Sequence, residues 1–354
     1  MKDNARWGRV VGAMHGVSCA LLVSLSAAAD EPKTETPAPF TDWQKLVQLL
    51  KERYADKTAV TDTQLNEAMV NGILEAFGNR ARVIKADEQA AKAPTSAIAR
   101  SEAIGGAIGY VRFAVIDETS AAALDKELEK MGAAKLVGLV LDLRFASGDD
   151  FARAAAVASR FTPKGAKLFT VNESASGKSQ EFTNTDFEGA TMPIAALVNA
   201  QTSGAAEAVA GALRSHDRCV VIGNATAGLA AVFSDFALDA GRNLRLATGK
   251  VEFTEGVSAF PNGLAPDVRV ELAEAVERDV LLENPPKKSF RELFAARATS
   301  GRLNEAELVK QHRGEATTLL QPTGAQRERP EEIKDTVLQR AVDLLRGVAA
   351  LKGS

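Results

Sequence analysis

Apolar residues recur every three or four positions in two stretches near the start of the chain, residues 43–54 and 65–77. This spacing places them on one face of a helix, so the pattern predicts a pair of amphipathic helices. Residues 336–351 repeat the pattern close to the C-terminus and predict a further amphipathic helix. Between the helix pair and the centre, residues 78–100 are polar and alanine-rich without a clear period, and we interpret them as a connector.

Short apolar runs alternate with helical patterns through the centre of the chain. Strands are predicted at 107–116, 135–144, 167–171, 193–199 and 219–223, helices at 119–131, 151–161 and 207–215, and hairpin-like segments at 233–238 and 244–253. The run at 135–144 is continuously apolar, as in a strand covered on both faces. The alternation therefore predicts an α/β fold with a largely parallel sheet.

The polar and proline-rich segments divide the chain into four parts. We expect a signal peptide at 1–29, a linker with the helix pair and connector at 30–103, the α/β core at 104–272 and a charged helical region at 273–354. Linker-like sequences at 285–288 and 321–332 enclose a polar stretch at 290–312 that is predicted to be helical.

The first segment has the organisation of an export signal. Three basic residues precede the apolar run 17–25, and alanines at 27–29 favour cleavage before Asp30. The alternative is an N-terminal anchor, but the run is shorter than the roughly 20 residues that span a bilayer. We therefore expect a periplasmic or secreted protein with no integral membrane span after cleavage.

Charge and titratable residues exclude several kinds of site. A net charge of −3 gives no basic field for nucleic acid. Cys219 is the single cysteine outside the signal, which precludes an internal disulfide in the mature chain. His216 and His312 are far apart and lack metal-ligand spacing, so we expect no metal site and no cofactor.

A phosphate-binding loop is also excluded. Residues 223–230 have the glycine spacing of such a loop, but Leu229 and Ala230 stand where the lysine and the Ser/Thr should be.

Five motifs occur in order between residues 108 and 270. They are IGYVRF, GLVLDLR followed by SGDD, NAQTSGAAEAVAGAL, CVVIGNATAG and GLAPDVRV. The series resembles the tail-specific, or carboxyl-terminal processing, serine protease family. The resemblance implies a core like the ββα spiral of crotonases and Clp proteases. It also implies a serine nucleophile and a lysine base. The peptide-binding PDZ module of the family has no counterpart here, because the connector is too short for one.

Aligned on the family motifs, both catalytic positions have lost their side-chain chemistry. Counting back from Glu207 places the nucleophile at Gly204, and the loop after Gly223 places the base at Leu229. The loop that corresponds to the family's oxyanion loop keeps Gly148, whereas Asp149 replaces its second glycine. Gly148, Asp149 and Ala205 are the residues expected to border the cleft. Glycine cannot attack a carbonyl and leucine cannot take a proton, so the resemblance implies a degenerate site.

The leading hypothesis is an exported pseudoprotease that binds a peptide or protein in a residual cleft between Gly148 and Ala205. In relatives the terminal helices form dimers, which implies a possible homodimer through the stripe 338–348. One alternative is an active serine peptidase in which Ser203 is a relocated nucleophile assisted by Glu207 or His216. We expect Ser203 instead to cap the following helix. The second alternative is a structural envelope protein.

Overall fold

The structure, a computed structural model, describes residues 42–56, 58, 60–85, 96–174, 176–239, 241–283 and 335–352. The expected signal peptide, most of the linker that follows it and the helical stretch expected at 290–312 lie outside the described residues. By its contacts the chain divides into two compact units, residues 1–69 and 70–354.

Two helices, α1 (Trp43–Arg53) and α2 (Asp62–Phe77), confirm the predicted helix pair. The carboxylate of Asp42 accepts a hydrogen bond of 3.0 Å from the backbone N–H of Lys45, which caps α1. Neither helix contains a buried residue, and the Trp43 side chain is 59% exposed. None of the helices in the described part of the chain is long and apolar enough to cross a membrane.

The core of the second unit is a six-stranded sheet with strand order β11-β8-β7-β4-β3-β2. Its strands are β2 (Ile98–Ile104), β3 (Ile108–Phe113), β4 (Gly138–Asp142), β7 (Ile194–Val198), β8 (Cys219–Gly223) and β11 (Val268–Arg269). All neighbouring pairs are parallel except β2 with β3. The predicted mixed α/β fold is thus confirmed, with one antiparallel edge strand.

Helices cover both faces of this sheet. Leu139 and Leu141 of β4 join a cluster that includes residues of α3 (Ser120–Met131), α4 (Phe151–Ala158) and α5 (Ala205–Ser215). Val140 faces the opposite cluster, against which Val276 of the short helix α6 (Glu274–Arg278) packs. This cluster also includes residues of the C-terminal helix α7 (Thr336–Lys352). Because successive residues of a strand face opposite sides, burial on both sides requires the continuous apolar run seen in the sequence.

A second, antiparallel sheet is built around β10 (Arg242–Glu252). Its other strands are β1 (Ala81–Lys85), β5 (Lys167–Glu173), β6 (Ser179–Thr183) and β9 (Ala231–Asp239). β9 pairs with β10 as the hairpin that the sequence predicts. The first half of β10 also pairs with β1 and its last residues pair with β5.

The interpretation of residues 78–100 as a connector without regular structure is wrong in part. β1 and the start of β2 lie within it. β1 pairs with β10 alone and β2 with β3 alone. An edge strand that is half exposed takes its structure from its partner, so its sequence need not show a continuous apolar run or strict alternation.

Candidate functional site

The turn that precedes α5 is bound to the loop that follows β4. The N–H of Ser203 donates to the carbonyl of Ala146 at 3.0 Å, and the N–H of Ala205 donates to the carbonyl of Gly148 at 2.8 Å. These two bonds join the turn directly to the loop at Gly148 and Ala205, the two residues between which the sequence predicts a residual cleft.

Gly204 is buried in this turn with a φ of 58° and a ψ of −120°. A Cβ added at this position would lie 2.1 Å from the carbonyl oxygen of Gly148. The Gly148 backbone is equally restricted, because a Cβ there would lie 2.6 Å from the carbonyl oxygen of Ile116 and 2.9 Å from the Ala205 Cβ. The two glycines therefore permit a backbone approach that any side chain would block.

Gly204, and not Ser203, is the N-cap of α5, so the expectation that Ser203 caps this helix is wrong. The positive φ shifts the helix start one residue further on, where the Glu207 side chain reaches back to the N–H of Gly204 at 3.0 Å. Ser203 is half-buried, and no described residue forms a hydrogen bond with its hydroxyl.

The Glu207 carboxylate joins the two segments that carry positions 204 and 229. Besides the N–H of Gly204, it accepts hydrogen bonds from the N–H groups of Gly228 and Leu229, each at 2.7 Å, and from the Thr226 hydroxyl. Burial raises the pKa of this carboxyl group, and the four hydrogen bonds act in the opposite direction. The sequence suggested Glu207 only as an alignment anchor and a possible assistant to Ser203.

His216 and Cys219 lie away from this turn. His216 ends α5, and its Nε2 lies 2.8 Å from the carbonyl oxygen of Lys167. The 11 residues of α5 separate it from Ser203, a rise of roughly 16 Å along the axis. Burial raises the pKa of the Cys219 thiol to about 12, so this cysteine is protonated at neutral pH.

A cleft of about 520 Å³ lies beside the turn. Its lining residues come from the loop after β4, from the start of β9 and the residues before it, and from the antiparallel sheet at and before β1 and in β10. They are Asn79, Arg82, Asp149, Leu229, Ala231, Val232, Phe233 and Arg245. The structure thus brings Asp149 and Leu229 to one cleft. Sequence reasoning missed its two arginines, because Arg82 lies in the supposed connector and Arg245 in a hairpin with no recognised motif.

Beneath the loop, a buried arginine is surrounded by carboxylates. Arg144 donates two hydrogen bonds to Asp142, at 2.9 and 2.6 Å, and two to Asp335, at 2.9 and 2.7 Å. Glu277 lies 3.5 Å from the same guanidinium. Burial acts to raise the pKa of Asp142, but Arg144 holds it below its usual value. Burial raises the pKa of Glu277.

Asn199 connects this network to the loop. Its side-chain oxygen accepts the N–H of Phe145 at 3.2 Å, and its amide nitrogen donates to Glu277 at 3.0 Å. In the described ranges, no group of three or more His, Cys, Asp or Glu side chains is arranged to hold a metal ion.

Comparison with known proteins finds a family model that this core matches. Residues 107–270 match the family model "Peptidase family S41". This segment is similar to peptidase family S41. The resemblance to carboxyl-terminal processing proteases is confirmed by this match and by the curated relatives described below. The matched segment includes the turn at Gly204, the loop at Gly148 and the position of Leu229.

Curated relatives of the S41 segment are carboxyl-terminal processing proteases. A carboxy-terminal-processing protease of Bartonella bacilliformis is 31% identical over 176 residues, which cover 48% of this chain and 40% of the relative. A carboxyl-terminal-processing protease of Synechocystis sp. is 27% identical over 167 residues, 47% of this chain and 39% of the relative. The chain therefore spans less than half of the length of these relatives.

A solved structure of a putative peptidase from Parabacteroides merdae is similar in fold to this chain, with a TM-score of 0.50 at 15% identity. The match covers 66% of this chain and 84% of that one.

Proposed function

We propose that this chain is a non-catalytic member of the S41 family that binds an extended peptide or protein segment in the cleft beside Asp149 and Leu229. The observation that carries the proposal is the position of the Gly148 carbonyl. This carbonyl oxygen lies 2.1 Å from the place that the Cβ of a nucleophile at position 204 would occupy. It also accepts a hydrogen bond from the N–H of Ala205.

Acyl transfer requires a nucleophile, a base and donors for the oxyanion, and the turn offers none of the three. Gly204 has no hydroxyl and Leu229 has no titratable group. The N–H of Ala205 already donates to a carbonyl, so it is not available to a developing oxyanion. Asp149 adds an exposed carboxylate to the same cleft, which disfavours negative charge in the transition state.

A relocated nucleophile at Ser203 is disfavoured by the groups around it. Both oxygens of Glu207 accept hydrogen bonds from other donors, and His216 lies at the opposite end of α5. A serine without a base within hydrogen-bond reach is a weak nucleophile.

The cleft is large enough to bind a ligand. Its volume of about 520 Å³ lies within the roughly 300–1,000 Å³ typical of ligand pockets. Its wall combines apolar side chains, Leu229, Val232 and Phe233, with charged ones, as a surface for an extended chain would. The basic and apolar pattern of the first 29 residues supports action of the mature chain in the periplasm or outside the cell.

Two measurements on the mature protein test this proposal. A fluorophosphonate probe should leave both the wild type and Ser203→Ala unlabelled. Fluorescent peptides of extended sequence should bind saturably, and Val232→Trp should abolish binding by filling the cleft. Leu238→Trp is the matched control, because Leu238 lies on the same strand, is 52% exposed and is not part of the cleft wall. A covalent adduct on Ser203 that is absent from Ser203→Ala would refute the proposal.

A further inference from the structure

Three charged residues lie side by side across the antiparallel sheet at the cleft. Arg82 of β1 is the register partner of Arg245 in β10, and Arg245 is the register partner of Asp235 in β9. Register partners project to the same face of a sheet, with Cβ atoms about 5 Å apart. Both arginines line the cleft.

The three charges do not cancel. Asp235 accepts two hydrogen bonds from Arg245, at 2.7 and 2.8 Å, so one carboxylate is shared with one guanidinium. Besides the hydrogen bonds from Arg245, the charge of Arg82 also acts on Asp235 and helps to lower its pKa, but Arg82 is exposed and makes no ion pair with a carboxylate of the described residues. Like charges directly opposite each other on a sheet are destabilising, so the placement of Arg82 beside Arg245 is a cost to the fold that a bound anion would remove.

We propose that Arg82, supported by Arg245, forms a subsite for a carboxylate on the peptide that occupies the cleft; this inference rests on the proposed function. A guanidinium can donate two parallel hydrogen bonds to one carboxylate, which gives both affinity and orientation. Val232 and Phe233 beside the arginines would contact the apolar part of the ligand. The carboxylate is either the C-terminus of the peptide or an aspartate or glutamate side chain.

Asp149 gives the cleft a direction. It lines the same cleft but belongs to the loop after β4, whereas the arginines belong to the sheet. Its charge repels a carboxylate and so directs the acidic part of the ligand toward Arg82.

The test uses one labelled peptide of alternating valine and serine in three forms. These are the free C-terminal acid, the C-terminal amide, and the amide with a central glutamate. At low salt, at least one carboxylate-bearing form should bind about tenfold more tightly than the plain amide. The form that binds more tightly than the plain amide identifies the source of the carboxylate. Arg82→Gln should remove that advantage, so that the carboxylate-bearing forms bind the variant no more tightly than the plain amide does.

Two further variants separate recognition from folding. Asp235→Asn removes the negative charge that Arg245 binds and should strengthen binding of the carboxylate-bearing peptide several-fold. If the row formed by Arg82, Arg245 and Asp235 had only a structural role, Asp235→Asn would weaken peptide binding or leave it unchanged. Arg242→Gln is the control, because Arg242 lies on the same strand and pairs with Asp239 outside the cleft.

The outcomes distinguish the subsite from the function on which it rests. Equal binding of all three peptides that Val232→Trp abolishes would reject the subsite and keep the proposed function. Failure of all three peptides to bind would reject both.

Discussion

The carbonyl oxygen of Gly148 accepts a 2.8 Å hydrogen bond from the N–H of Ala205. This bond closes the loop after β4 onto the start of α5. It holds the Gly148 carbonyl against the Cα of Gly204, where no side chain fits. The contact makes the glycine at 204 a requirement of the backbone, and it leads directly to two predictions.

Gly204→Ser should destabilise the protein. The new Cβ would meet the Gly148 carbonyl at 2.1 Å, and a φ of 58° is strained for a residue with a side chain. We expect a loss of about 2–4 kcal/mol in the free energy of unfolding, measured by urea denaturation. Gly347→Ala in α7 is the control, because nothing lies within 4 Å of its added Cβ, and it should stabilise by up to about 1 kcal/mol. An unchanged stability for Gly204→Ser would show that the loop moves aside freely.

The double variant Gly204→Ser with Leu229→Lys should not cleave casein efficiently. It restores a hydroxyl and an amine, but the Ala205 N–H still faces the Gly148 carbonyl and Asp149 still lines the cleft. Donors that are already engaged cannot stabilise an oxyanion. The measurement is release of soluble fragments from labelled casein, with the wild type as the blank. Robust cleavage would contradict our account of the loop.

Glu207→Gln should destabilise the junction between α5 and the loop at 226–229. The carboxylate accepts four hydrogen bonds, whereas an amide presents one oxygen and two N–H donors. The amide NH₂ of the glutamine would then face some of the groups that donate to Glu207. Such a donor facing a donor should cost about 2–3 kcal/mol in the free energy of unfolding. Hydrogen exchange at the amides of Gly228 and Leu229 should accelerate in the variant. Unchanged exchange at these amides would argue against the joining role of Glu207.

The Arg144 network predicts a distinctive dependence on pH. Burial raises the pKa of Glu277, so the unfolded chain loses this proton at a lower pH than the folded protein. The contribution of Glu277 to stability is therefore present below its ordinary pKa and is lost as the pH rises through its folded pKa. Glu277→Gln removes this titration. As the pH rises through the same range, the free energy of unfolding of the variant should therefore rise relative to that of the wild type. Urea denaturation at a series of pH values measures this.

Asp335→Asn is the matched comparison for Glu277→Gln. Asp335 makes two hydrogen bonds to Arg144, whereas Glu277 approaches at 3.5 Å. Loss of the closer charge leaves the buried guanidinium undercompensated and should cost about 3 kcal/mol. Equal effects of the two substitutions would mean that the three carboxylates share the arginine evenly.

Much of the core could be predicted from the sequence, because strands buried on both faces must be continuously apolar. β4 and β7 and the helices α3 and α5 lie close to where their patterns place them. β1 could not be predicted, since its pairing partner β10 lies more than a hundred residues further along the chain. Local patterns do not carry such long-range pairing.

The sequence proposes the positions of the candidate site but not their geometry. Motif spacing identified Gly148, Gly204 and Leu229, and the structure brings their segments together. The close approach of the Gly148 carbonyl depends on backbone angles that no residue pattern specifies. The same holds for Asp335, whose role depends on burial against a residue that lies far earlier in the sequence.

Two of the three carboxylates around Arg144, Glu277 and Asp335, lie outside the segment recognised by sequence similarity. The family match ends at residue 270, yet Asp335 and the apolar face of α7 complete the core. A recombinant fragment trimmed at residue 270 would leave a bare hydrophobic sheet face and would deprive the buried Arg144 of two of its three carboxylates, so it should aggregate on expression. Workable fragment boundaries for this protein have to include its last helix.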